Sequence, residues 1–169
     1  MRILGLMSGT SMDGVDGALI DTDGQIVAAR GPSAYRPYGP AERAAIAAVQ
    51  GMWPGAPGVA EAAEIVEAAH AELIAEFDGV EAVAFHGQTV AHDPGGRGTH
   101  QLGYGTRLAR RCGHRVVWDF RSADVAAGGQ GAPLAPFYHH ALAREAGLTA
   151  PVAFLNLGGV GNLTFCDPR

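Results

Sequence analysis

The sequence predicts an α/β domain. Its mixed sheet opens with a three-stranded antiparallel meander, continues in parallel strands and carries helices on both faces. Three observations predict this. Within the first thirty residues, three apolar runs (3–7, 15–20 and 25–30) are separated only by short turns, and short turns join antiparallel strands. Residues 59–77 then place Val59, Ala62, Val66, Ala69, Leu73 and Phe77 at three- and four-residue steps, the single apolar stripe of an amphipathic helix. The apolar run 80–85 follows that helix at once, the order of a crossover that adds a strand in parallel.

The elements follow in order. Ser8-Gly9-Thr10-Ser11 joins the first two runs, and Asp13, Asp16 and Asp21 surround the second. Asp23-Gly24 is a two-residue turn into the third strand. Residues 31–40, with Pro32, Pro37 and Pro40, read as a loop; Pro40 suits the first position of a helix over 41–50, closed by Gly51. Residues 53–58 are a Pro/Gly linker before the long helix, which Asp78-Gly79 ends. Glu61, Glu64, Glu67, Glu72 and Glu76 form its polar side. After the strand 80–85, residues 92–100 read as a polar loop. A short helix over 106–112 has Thr106 as N-cap and Gly113 beyond its end. Residues 114–118 are a strand with Asp119-Phe120-Arg121 at its carboxyl end, residues 128–133 a flexible loop, and 134–145 a last helix. Residues 151–157, a Gly-rich turn at 158–161 and residues 162–165 repeat the opening pattern weakly. This divides the chain into a domain at 1–150 and the truncated start of a similar one at 151–169.

Composition bounds the function. A chain of 169 residues can bury one proper core. A net charge of −5 argues against nucleic acid as a partner. Two distant cysteines, Cys112 and Cys166, imply neither a disulfide framework nor a C-x-x-C metal site. The first apolar run is too short for a signal peptide or a membrane span, so no membrane is expected and the compartment is cytoplasmic.

Four segments can carry chemistry. The turn at 8–16 exposes backbone N–H groups and hydroxyls beside carboxylates, which suits an anion and a hard cation. A plain tight turn favours the same residues. It is not a P-loop, since G-x-x-x-x-G-K-S/T is absent and the chain has no lysine. Asp119, Arg121 and Asp124 follow a strand's carboxyl end, where ligands of α/β sheets bind. A carboxylate there can act as a general base and an arginine can clamp a phosphoryl group, or the three can cap a helix and pair on the surface. Gly128-Gly129-Gln130-Gly131-Ala132-Pro133 can bind hydroxyls or serve as a linker. His86, Gln88 and Thr89 end the strand 80–85 with polar groups suited to a sugar-like ligand. With His92, Asp93 and His100 they match no zinc spacing.

Taken together, residues 7–16, 85–89 and 101–103, Asp119-Phe120-Arg121 with Asp124, and residues 128–134 and 156–162 resemble the anhydro-N-acetylmuramic acid kinases. The resemblance covers essentially the whole chain. It implies an actin-like ATPase (ribonuclease H-like) domain, from the superfamily of sugar kinases, heat-shock chaperones and actin, with two similar domains facing across a cleft. It implies an enzyme that opens the 1,6-anhydro ring of anhydro-N-acetylmuramic acid with water and transfers the ATP γ-phosphoryl group to O6. The product is N-acetylmuramic acid 6-phosphate, in peptidoglycan recycling. ATP and Mg²⁺ would meet Gly9, Thr10, Ser11, Met12, Asp13, Gly14, Val15 and Asp16, with Asp13 on the metal. Asp124 would be the base, with Asp119 its competitor and Arg121 beside them. His86, Gln88, Gly129, Gln130, Gly131 and Pro133 would line the sugar pocket. A homodimer is also implied. The family's chains are longer, so these 169 residues alone are expected to fold but not to turn over. The alternatives are an amino-sugar-binding module without catalysis and an actin-like ATPase.

Overall fold

The apolar runs at the N-terminus pair as the turn lengths require. The computed structural model describes residues 1–157 and 161–168. Strand β1 (Arg2–Ser8) pairs antiparallel with β2 (Gly14–Thr22), and β2 with β3 (Val27–Pro37). The third strand is longer than expected: residues 31–37, read as a loop, continue it. Pro32 is tolerated because β3 is the sheet edge and because Gly31 and Pro32 together face Leu19, a two-against-one bulge.

Helix α1 (Pro40–Ala48) begins at Pro40, and Glu42 accepts the Gly39 N–H at 2.7 Å. Helix α2 (Val59–Ile74) lays Ala62, Val66, Ala69 and Leu73 on the sheet, as its periodicity predicts. It ends three residues earlier than expected, although Phe77 is still buried. Glu67, assigned to the polar side, lies on the buried face at 0% exposure. Its carboxylate accepts from the Tyr104 N–H at 2.7 Å and from Arg107 Nε at 3.0 Å. Those partners lie some forty positions along the chain, beyond any local pattern.

The chain then crosses over, and β4 (Ala82–Asp93) runs parallel to β1. It does not stop at Phe85. At its midpoint His86 and Gly87 stand opposite Met7 alone, a second bulge, with Gly87 at φ 72°. A side chain at Gly87 would run into the Leu102 carbonyl. Beyond the bulge β4 turns back through residues 94–97 into β5 (Gly98–Leu102), an antiparallel hairpin where the sequence suggested a loop. Asp93-Pro94-Gly95-Gly96 was the available turn signal. Helix α3 (Gly105–Cys112) has Tyr104, not Thr106, at its N-cap and Gly113 in the left-handed region after it. Strand β6 (Arg115–Trp118) pairs parallel with the first half of β4. The order is β3-β2-β1-β4-β5, with β6 beside β4.

Helices α2 and α3 cover one face of this mixed sheet. The short α4 (Ser122–Ala126) and α5 (Ala135–Glu145) follow β6. Helix α5 reaches only the margin of the other face, leaving an apolar groove of about 950 Å³ between Met7, Ala34, Tyr35, Leu134 and Tyr138. Strands β7 (Val152–Asn156) and β8 (Asn162–Cys166) form a separate two-stranded sheet. It touches α5 through His139, which stacks on Phe154 at 4.7 Å. The turn expected at 158–161 falls mostly outside the described residues. No helix is long and apolar enough to cross a membrane, among the described residues.

Candidate active site

The carboxyl ends of the three parallel strands converge at Ser8, His86 and Trp118, and the expected site residues gather there. Two segments carry them, and each contains a strained residue. Among the described residues the non-glycines with positive φ are Met12 (53°), in the turn after β1, and Asp119 (57°), after β6. L-residues rarely adopt this conformation, and outliers of this kind concentrate at functional sites.

The first segment is the turn at 9–13. The Met12 N–H bonds the Gly9 carbonyl at 3.0 Å, and Ser11 Oγ donates to Asp13 Oδ1 at 2.9 Å. Thr10, Ser11, Asp13 and Asp16 are exposed. A side chain at Gly9 would meet nothing closer than Ser11 Oγ at 3.7 Å, so packing within the chain does not explain this glycine. Such open space leaves room for a ligand to approach the backbone closely. Gly14 and Val15 differ. Val15 is a core residue at 0% exposure, and a side chain at Gly14 would meet the Tyr35 ring at 2.7 Å. These two hold the strands together rather than reach outward. Partial burial, and then the nearby Asp13, push the Asp16 carboxyl up from its ordinary range. A single carboxylate matches the way Mg²⁺ is held, one or two acidic side chains plus phosphate oxygens and water. No group of three or more His, Cys, Asp or Glu able to hold a metal occurs among the described residues.

Tyr38 fixes both ends of this turn, a role the sequence did not disclose. Its N–H donates to the Asp13 carbonyl at 2.8 Å, and its hydroxyl lies 3.0 Å from Ser8 Oγ. Ser8 Oγ in turn donates to Gln88 Oε1 at 2.5 Å. Burial pushes the Tyr38 phenol up to about 12. Gln88, expected in the sugar pocket, is wholly buried, with its amide N–H on the Thr89 carbonyl at 3.2 Å. It ties the turn to β4 and faces no ligand directly. Arg43 of α1 adds a contact from outside, donating to the Ser11 carbonyl at 3.3 Å.

The second segment interlocks residues 119–131. His86 Nδ1–H donates to the Gly87 carbonyl at 2.9 Å, which leaves Nε2 to accept from Arg121 Nε at 2.9 Å. Burial holds the imidazole below its ordinary pKa, which keeps that acceptor available. Arg121 also donates to the Gly131 carbonyl at 2.6 Å, and Asp124 Oδ2 accepts the Gly131 N–H at 2.7 Å. The glycine-rich loop is thus gripped at both backbone groups of one residue, Gly131. Gly131 sits at φ 63°, and a side chain at Gly129 would run into the Asp124 carboxylate. Asp124 and Gln130 are exposed, and Pro133 continues the loop at the surface. Asp119 Oδ1 accepts the Ser122 N–H at 3.2 Å and caps α4. It also borders a cavity of about 290 Å³ with His86, Gln101, Tyr104 and Trp118. The two aromatics were not singled out in the sequence; their place beside a strand end was the available signal.

The family model for anhydro-N-acetylmuramic acid kinase matches residues 1–169. The chain belongs to this family. It is 69% identical over 166 residues to an anhydro-N-acetylmuramic acid kinase of Cereibacter sphaeroides, covering 98% of this chain and 45% of the relative. It is 56% identical to that of a Ruegeria species over 169 residues, with 100% and 45% covered. To that of Rhodopseudomonas palustris strain HaA2 it is 49% identical over 182 residues, with 99% and 50% covered. The chain therefore spans about half the length of the curated relatives it matches.

Proposed function

We propose that the chain is the sugar-side, actin-like domain of a cytoplasmic kinase acting in peptidoglycan recycling. Residues 151–169 begin a second similar domain. The reaction opens 1,6-anhydro-N-acetylmuramic acid with water and phosphorylates O6. Asp124 takes a proton from a water whose oxygen attacks the anomeric carbon. The bond from that carbon to O6 breaks, and O6 receives the γ-phosphoryl group of ATP, releasing ADP. The observation that carries this reading is the Arg121–Gly131–Asp124 lock. It presents an exposed carboxylate with one oxygen fixed by a backbone N–H, beside the strand ends, where a sugar can reach it.

Phosphoryl transfer needs mainly positioning and charge neutralisation. The exposed turn at 9–13 supports a phosphate contact. Asp13 would hold Mg²⁺, which supplies neutralising charge on the transferred group. His86 orients Arg121, Gln88 orients Ser8, and the loop at 129–133 borders the sugar. Gly14 and Val15 support the turn from beneath.

The test uses a chimera in which residues 1–169 replace the matching part of the Cereibacter sphaeroides kinase. It should consume ATP only when anhydro-N-acetylmuramic acid is present, with N-acetylmuramic acid 6-phosphate as product. ATP hydrolysis at the same rate without sugar would contradict the proposal. The 169-residue chain by itself should not bind ATP at micromolar concentrations in an isothermal titration.

A further inference from the structure

One buried carboxylate takes no part in the reaction proposed above. Glu67 Oε1 gathers three donors: the Tyr104 N–H at 2.7 Å, Arg107 Nε at 3.0 Å and Arg107 Nη2 at 2.7 Å. Its Oε2 is buried without a hydrogen-bond partner among the described residues. A half-paired buried carboxylate is costly, and a well-packed apolar residue would often serve stability as well. What the arrangement supplies is position. No side chain of α3 caps its start, where Tyr104 is the N-cap. In a capping box the residue three positions on accepts the N-cap N–H. Here that residue is Arg107, which cannot accept, and Glu67 of α2 takes the N–H and Arg107 together.

Residues 103–105, held this way, form a wedge against two aromatic rings. Gly103 sits at φ 100°, and a side chain there would run into the Phe85 ring; one at Gly105 would run into the Trp118 indole. Tyr104 packs edge-on to Trp118 at 6.2 Å, with the Arg107 guanidinium over its own ring at 4.8 Å. Phe85 and Trp118 are register partners, and each immediately precedes a site residue, His86 and Asp119. His86 holds Arg121, and Arg121 holds Gly131.

We infer that Glu67 is a positioning residue for the candidate active site. It clamps residues 103–105 against Phe85 and Trp118 and so sets the carboxyl ends of β4 and β6. The geometry stands on these contacts; its effect on turnover rests on the kinase reading above.

Amide exchange on the 169-residue chain tests the geometry. Glu67→Met fills the same space without an acceptor. It should speed exchange over residues 117–122 at least about tenfold more than over residues 15–20 of β2, which report global opening. Glu67→Gln keeps an acceptor for the Tyr104 N–H and should stay within about threefold of the parent in both segments. Glu67→Asp keeps the charge but shortens the reach, and should speed residues 117–122 at least about threefold more than β2; it decides the question if Glu67→Met does not fold. In the chimera, Glu67→Asp should lower kcat/KM for the sugar at least about tenfold, with KM for ATP within about twofold of the parent, and Glu67→Gln should recover most of the loss. Equal acceleration in the two segments, or none in either, would overturn the inference and leave the kinase reading intact. Local acceleration with turnover unchanged would make Glu67 a structural clamp only and would also overturn it. A parent chimera without sugar-dependent turnover would overturn the kinase reading, and the exchange pattern would still decide whether Glu67 sets the strand ends.

Discussion

The chain holds two hairpins with similar recipes, and they fare differently. In both, two short apolar strands flank a glycine-containing stretch of sequence. In the β1–β2 hairpin, Leu4, Leu6 and Val15 are buried under α2, and β4 pairs with the outer edge of β1. In the β7–β8 hairpin, Leu155, Leu163 and Phe165 are 64%, 65% and 72% exposed, and no third strand joins among the described residues. Local pattern makes a hairpin; only neighbours make it rigid, because an isolated pair buries too little to be stable. The first turn can therefore be held by Ser8, Tyr38 and Gln88 in a strained shape, as the phosphate contact we propose for it requires. The second has no such scaffold within the described residues.

Mutations should expose this contrast. Leu4→Ala should lose ~2–5 kcal/mol of stability through a cavity beneath the first hairpin, read as a drop in the urea midpoint. The pH dependence should come next. Burial holds His70, which packs against Phe85, at about 4 against an ordinary 6.5. The unfolded chain then binds the extra proton first, so stability is fully present above pH 6.5 and falls as the pH drops towards 4. The loss should reach ~3 kcal/mol, and His70→Gln should flatten the slope. Gln88→Ala leaves Ser8 without its buried acceptor and should cost ~1–3 kcal/mol. It should also speed amide exchange across residues 9–13. Leu163→Ser in the last hairpin should change stability by less than about 0.5 kcal/mol, as for other exposed positions. A large loss there would mean that the two hairpins are equally supported.

The legible parts of the chain were those in which local pattern and tertiary context agree. The meander, the crossover after α2 and the helix beginning at Pro40 could be read from periodicity and turn residues. The hairpin of β4 and β5 was missed because a bulge at Gly87 lets one strand change partners midway, and periodicity carries no sign of that. Glu67 reads as a solvent-facing helix residue until Arg107 arrives beside it from α3. In the candidate site, residue types and spacing picked out Asp124, Arg121 and the glycine loop. They could not show that Gly131 is the residue whose backbone joins them, or that Gln88 is buried behind the turn. Motif reading finds which residues gather more readily than which atoms they touch.

The central claim is that Asp124 is the base, with Asp119 serving the cavity wall and the α4 cap. Steady-state kinetics of the chimera with Asp124→Asn tests it most directly. The account predicts that kcat falls by ~10²–10⁴-fold, while the sugar dissociation constant and the thermal midpoint stay near those of the parent. An Asp124→Asn chimera that keeps its turnover, or loses it only as far as its sugar affinity falls, would contradict the account.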